Sequence, residues 1–185
     1  MFLRKSRVEP LPVTMSAVRM GERVLQIGVD DPAVASAIAA KAGLSGHAAL
    51  AVADERDATR AQGAMANAGV LVDVQITPLT SLPFDGDAFD LIVVHAMHGL
   101  VSSLDADARL AAMREWRRVL RHGGRVMTIE AGPATGIASV FKPHRTNAAY
   151  EASGGVVGGL AAAGFKAVRL LAEREGYTFA EGIKG

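Results

Sequence analysis

The chain of 185 residues has no cysteine. That excludes disulfides and thiolate metal sites. It also agrees with a cytoplasmic location, which is the expectation here. Aromatic residues are few, with six Phe, two Tyr and one Trp. A core built on large rings is therefore excluded. Abundant alanine and glycine point instead to closely spaced helices and strands. Charge of either sign is not in excess, with 20 basic residues against 19 acidic ones and a formal charge of +1. That balance gives no support for a polyanionic partner. The opening stretch, Met1 to Val13, holds only three apolar residues before Arg4 and then two prolines. It reads as neither a signal peptide nor a spanning helix, and no membrane insertion is expected. No internal repeat, linker or second domain is visible, so residues 1–185 are expected to form one domain.

What is present is alternation. Apolar runs of strand length alternate with helix-length segments, the pattern of βα units around a mainly parallel sheet. Strands are expected at Arg23–Ile27, His47–Ala53, Val72–Ile76, Leu91–His95 and Arg125–Ile129. Helices are expected at Pro32–Ala42, stopped by Gly43, and at Asp57–Ala68. A third is capped by Asp105, carries Leu110, Met113, Trp116 and Leu120 inward, and ends at Gly123-Gly124. Residues 132–148 lack periodicity. A last helix, Tyr150–Ala163, precedes strands Ala167–Glu173 and Tyr177–Lys184, which turn at Gly176.

The most telling stretch runs from Leu82 to Glu130. It contains Leu82-Pro83-Phe84, a short turn, Phe89-Asp90, a strand, a helix ending in Arg118-Val119-Leu120, then Gly123-Gly124 and another strand. These positions fall in register with the class I S-adenosylmethionine-dependent methyltransferases. The chain resembles most closely their small-molecule branch, which includes the ubiquinone and menaquinone biosynthesis enzymes. His122 stands where that family usually has proline. The resemblance implies an α/β, Rossmann-like, doubly wound seven-stranded sheet, mostly parallel, with one antiparallel strand near the C-terminus. It implies S-adenosylmethionine as methyl donor, S-adenosylhomocysteine as product, no metal, and a small-molecule acceptor.

In such sheets ligands bind beyond the carboxyl ends of the strands, where strand order reverses. The family's first turn carries G-x-G-x-G after an acidic residue. Here Gly28 matches the first glycine, Asp30 and Pro32 replace the other two, and Gln26 replaces the acid. Asp31-Pro32 is also a good helix start, an N-cap followed by proline at the first helical position. Asp54, 26 residues after Gly28, is the expected ribose ligand, with Glu55 as a substitute. The family's adenine-binding acid is replaced at Thr77-Pro78-Leu79, where Leu79 is expected to pack against the purine. Gly28, Asp30, Asp54, Glu55, Leu79 and His95 thus form the expected cofactor set, with fewer polar contacts than an intact loop provides.

His95 and His98 follow the fourth strand at the same edge. Either has the residue type of a general base near neutral pH. His98 is the favoured base and His95 the residue that holds the loop. Polar loop histidines without chemistry are the plain alternative, and a metal pair lacks a third ligand. Glu130 either orients an acceptor or caps a turn. Lys142, His144 and Arg145 suit an anionic substrate or a solvated loop. Arg114, Arg117, Arg118 and Arg121 spread around a helix without interleaved aromatics, so nucleic-acid binding is not expected. The leading function is methyl transfer to a small molecule. The alternatives are a binding module that has lost the cofactor, or another nucleotide ligand in the same crevice.

Overall fold

The structure, a computed structural model, describes residues 9–132 and 147–185. Strands β1 (Arg23–Ile27), β2 (His47–Val52), β3 (Asp73–Ile76), β4 (Phe89–Ala96), β5 (Leu120–Ala131), β6 (Lys166–Arg174) and β7 (Tyr177–Ile183) form one sheet. Its order is β3-β2-β1-β4-β5-β7-β6. Neighbours from β3 to β5 pair in parallel, and β7 runs antiparallel to both β5 and β6. The expected seven-stranded, mostly parallel sheet is therefore present. The chain builds outward from β1 to β3, then returns to place β4 on the other side of β1. Strand order reverses between β1 and β4, which opens a crevice at their carboxyl ends.

Helices cover both faces, so the central strands are buried on both sides and read as continuous apolar runs. Val24, Leu91, Val93 and Met127 face α1 (Leu11–Ser16) and α2 (Pro32–Ala42). Leu25, Ile27, Ile92 and Val94 face α4 (Ala106–Val119) and α6 (Gly155–Ala162). Helix α3 (Glu55–Asn67) lays Ala58, Ala61 and Met65 against Leu50 and Val52 of β2. Helix α5 (Ala148–Ala152) contributes Tyr150 to the α4 side.

The signature residues that carry the family resemblance hold the chain together. Arg118 Nη2 donates to the carbonyls of Leu82 (3.2 Å) and Phe84 (2.8 Å), and Glu115 accepts from the Leu82 amide at 2.8 Å. The Leu82-Pro83-Phe84 turn is thus clamped onto α4. Asp90 accepts from the Arg23 amide at 2.7 Å and pairs with Arg121, which fixes the start of β1 against β4.

Three expectations need correction, and one helix is new. Gly123-Gly124 does not end α4. The helix stops at Val119 and the chain enters β5 at Leu120, so both glycines lie inside a strand. Lys184 explains the stop. Its Nζ donates to the carbonyls of Arg118 (3.3 Å) and Leu120 (2.7 Å), while its backbone bonds Gly123 and Gly124. The expected helix Tyr150–Ala163 is two short ones, broken where Gly154 (φ 85) and Gly155 (φ 59) take left-handed conformations. Helix α3 starts two residues earlier than expected, because Asp54 is its N-cap. Helix α1 was not foreseen. It is six residues long and lacks a side-chain cap, too short to show a period. No helix among the described residues is long and apolar enough to cross a membrane.

Candidate active site

The carboxyl ends of β1 to β5 lie side by side along the edge that holds the crevice. At the first, Gly28 has φ +72 and donates its N–H to Ala51 at 2.8 Å. A Cβ there would lie 2.7 Å from Leu100 Cδ2 and 2.9 Å from the His95 carbonyl. Glycine is thus required twice, by backbone conformation and by the close approach of the β4 end. Beyond β2, Asp54 is exposed, and its Oδ1 accepts from the Asp57 amide at 2.9 Å. Glu55 follows it, exposed, in the first turn of α3. Beyond β3, Leu79 is buried, and the turn that carries it is tied by a Thr77 hydroxyl bond to Ser81 O at 2.7 Å.

The residue in the family's acidic position is wholly internal. Gln26 is 0% exposed. Its Nε2 donates to Ala35 O at 2.8 Å, and its Oε1 lies 2.8 Å from His95 Nε2. A carbonyl only accepts, so the Ala35 contact fixes which end of the amide faces His95. The imidazole must then carry its proton on Nε2. Burial drives the His95 pKa down to about 4, against the opposing pull of Asp30 and Asp31. His95 is a neutral, fixed ring at neutral pH.

Asp30 is equally committed. Its Oδ2 accepts from the Met97 amide at 2.8 Å, and its Oδ1 lies 2.8 Å from His98 Nδ1. The carboxylate therefore ties the turn after β1 to the segment after β4. It also orients the His98 ring, whose side chain is 81% exposed. With Nδ1 held, the outward Nε2 is the free basic atom. Asp31 caps α2 through Ala33 N at 2.8 Å, as the Asp-Pro pair predicts.

Beside these groups lies a cleft of about 150 Å³ between α1, α2 and the ends of β4, β5 and β7. Its apolar walls are Pro12, Val34, Met97, Ile129 and the Tyr177 ring, and its polar groups are Asp30, Asp31, His95 and His98. On the opposite face of β5, Glu130 accepts from the Tyr150 hydroxyl at 2.7 Å, and the Arg109 guanidinium sits 4.7 Å from the Tyr150 ring centre. Burial raises the pKa of Glu130. Leu100, Arg109, Tyr150 and Tyr177 had no local sequence signal, since each reaches the edge through tertiary packing. Lys142, His144 and Arg145 lie outside the described residues.

A family described as a methyltransferase domain matches residues 25–128, from β1 through most of β5. The chain belongs to the methyltransferase-domain family. Among relatives of this methyltransferase-family chain is the ubiquinone/menaquinone biosynthesis C-methyltransferase UbiE of Cupriavidus metallidurans. It is 32% identical over 131 residues, 71% of this chain and 49% of the relative. The UbiE of Ralstonia pickettii is 32% identical over 118 residues, 64% of this chain and 46% of the relative. The chain spans about half the length of these relatives. A solved S-adenosylmethionine-dependent methyltransferase from Aquifex aeolicus superposes with TM-score 0.72 at 17% identity, covering 94% of this chain and 87% of the other. The structure of PigF with S-adenosylhomocysteine superposes with TM-score 0.63 at 18% identity, covering 89% and 51%. At these identities the superpositions establish the fold, the class I methyltransferase sheet.

Proposed function

We propose that this chain is an S-adenosylmethionine-dependent methyltransferase acting on a small-molecule acceptor. The observation that carries the reading is the carboxylate-held imidazole of Asp30 and His98 standing at the β1–β4 switch point of a methyltransferase-family sheet. The edge residues fit the cofactor. The left-handed turn at Gly28, the exposed Asp54 carboxylate and the buried Leu79 suit the cofactor's approach, its ribose hydroxyls and its purine respectively. Glu55 is the second acid within reach of a ribose. Polar contacts are missing at two places, because both polar ends of Gln26 are satisfied inside the protein and Pro78 stands where the family has its adenine-binding acid.

When bound, S-adenosylmethionine supplies a sulfonium methyl to a nucleophile. The chain's own residues have three tasks. Apolar walls beside the strand ends position the acceptor. His98 Nε2 takes the proton of an acceptor O–H or N–H, and Asp30 stabilises the imidazolium that forms. His95, neutral and held by Gln26, fixes the end of β4 beneath them.

The test is His98→Ala, after an acceptor has been found by screening phenols, amines and quinone precursors with labelled cofactor. Turnover should fall by ~10²–10⁴-fold, the usual contribution of a general base, while S-adenosylhomocysteine affinity stays nearly unchanged. Parent-like turnover would leave proximity and desolvation as the whole mechanism. Loss of cofactor binding would move His98 into the cofactor site.

A further inference from the structure

The cleft beside the Asp30–His98 pair limits what can be methylated. Its volume is about 150 Å³. An apolar cavity of about that size accepts one benzene ring. Val34, Met97 and Ile129 supply aliphatic contacts and Tyr177 an aromatic one, so a flat apolar body fits the walls. The polar groups lie together rather than being spread around the walls. Asp30 and Asp31 are consecutive, and Asp30 holds His98. No Lys or Arg among the described residues lines the cleft. Asp30, partly buried, and Asp31, exposed, put two carboxylates in the lining, which disfavours an anion there, and the bond from His98 Nδ1 to Asp30 leaves the His98 Nε2 to face a ligand.

We infer that the acceptor enters this cleft as a single aromatic ring without an anionic substituent, presenting a hydroxyl or amino hydrogen to His98. This rests on the methyltransferase reading above, because it assigns the cleft to the acceptor and leaves Gly28, Asp54 and Leu79 to the cofactor. Ring and donor hydrogen define the class. A second fused ring or a long tail would have to protrude from the cleft. A carboxylate on the ring would face Asp30 and Asp31.

Binding can be measured without turnover. The probes are 4-methylphenol and 4-hydroxybenzoate, matched in shape and differing in charge, titrated into the full chain by calorimetry and ligand-observed NMR, with and without saturating S-adenosylhomocysteine. The expected result is that 4-methylphenol binds with Kd of roughly 0.1–1 mM, ordinary for a fragment of this size, in both conditions. 4-Hydroxybenzoate should bind at least about tenfold more weakly. Val34→Phe fills the cleft and should abolish 4-methylphenol binding. Asp31→Asn keeps a residue able to cap α2 and should narrow the gap between the probes to about threefold; thermal unfolding checks that both variants fold. The inference is overturned if 4-hydroxybenzoate binds as tightly as 4-methylphenol, or if 4-methylphenol fails to bind at millimolar concentration. It is overturned too if a folded Val34→Phe binds 4-methylphenol like the parent. Displacement of 4-methylphenol by S-adenosylhomocysteine would assign the cleft to the cofactor and overturn it as well. Absence of S-adenosylhomocysteine binding with 4-methylphenol binding retained would instead remove the methyltransferase reading and leave the cleft as a small-ring site.

Discussion

Lowering the pH should destabilise this protein well above the range where carboxylates usually act, and His95 should be the cause. The ring is buried, 3% exposed, and donates Nε2–H to Gln26. Its pKa falls from 6.5 in the free state to about 4 in the fold. The folded state therefore binds the proton less readily than the unfolded one. The stabilising contribution is full above about pH 6.5, declines as pH falls through the window to 4, and is gone below it. At 1.36 kcal/mol per pKa unit the total is about 3 kcal/mol, a sizeable share of a domain's net stability. Depressed carboxylates such as Asp90 and Glu115 lose their contribution only below their free values of 3.8 and 4.5. Glu130, whose pKa is raised, acts in the opposite sense, because its protonation on acidification favours the fold. A difference measurement isolates His95. Urea unfolding of the parent and of His95→Gln is followed from pH 7.5 to 4.5, which covers the flat region above about pH 6.5 and most of the window where one proton is linked to unfolding. Below about pH 6.5 the parent should lose stability by up to about 1.4 kcal/mol per pH unit relative to the variant, and above it the two profiles should run parallel. Profiles that stay parallel throughout, or an NMR titration that places the folded His95 near 6.5, would refute the argument.

Two further substitutions separate structural from ligand roles at the strand ends. Asp54→Ala removes the α3 cap and should cost about 0.5–2 kcal/mol, whereas Asp54→Asn keeps the cap. Both should weaken S-adenosylhomocysteine binding, so unchanged affinity in the folded Asn variant would end the ribose assignment. Gly28→Ala should cost about 1–2 kcal/mol from its positive φ alone, plus the collision with Leu100 and the His95 carbonyl. Combining it with Leu100→Ala should recover part of that loss, and strict additivity in chemical denaturation would show that the two side chains do not meet.

The sheet was legible because its signals are local and agree with one another. Strand β1 and helix α2 fall at their expected bounds, since a short apolar run and an Asp-Pro start punctuate them within a few residues. The end of α4 was not legible, because it is set by Lys184, more than sixty residues away. The same holds at the site. The altered positions Gln26 and Asp30 could be found by comparison with the family motif. Their meaning could not, because it lies in partners brought by β4. His95 accounts for the amide at Gln26, and His98 with the Met97 amide accounts for the carboxylate at Asp30. Two apparent losses in the glycine loop are thereby two cross-strand bonds. Likewise Asp54 reads as a ribose ligand from its spacing, and only the geometry adds that the same side chain starts α3.

On the proposed function, this edge of the sheet binds the methyl donor. That binding is tested most directly by calorimetric titration of the full chain with S-adenosylhomocysteine, repeated with S-adenosylmethionine. The geometry predicts one-to-one binding of both, with Kd between roughly 10 µM and 1 mM, because each missing polar contact costs about 1–3 kcal/mol. Absence of binding by either compound at millimolar concentration would contradict it.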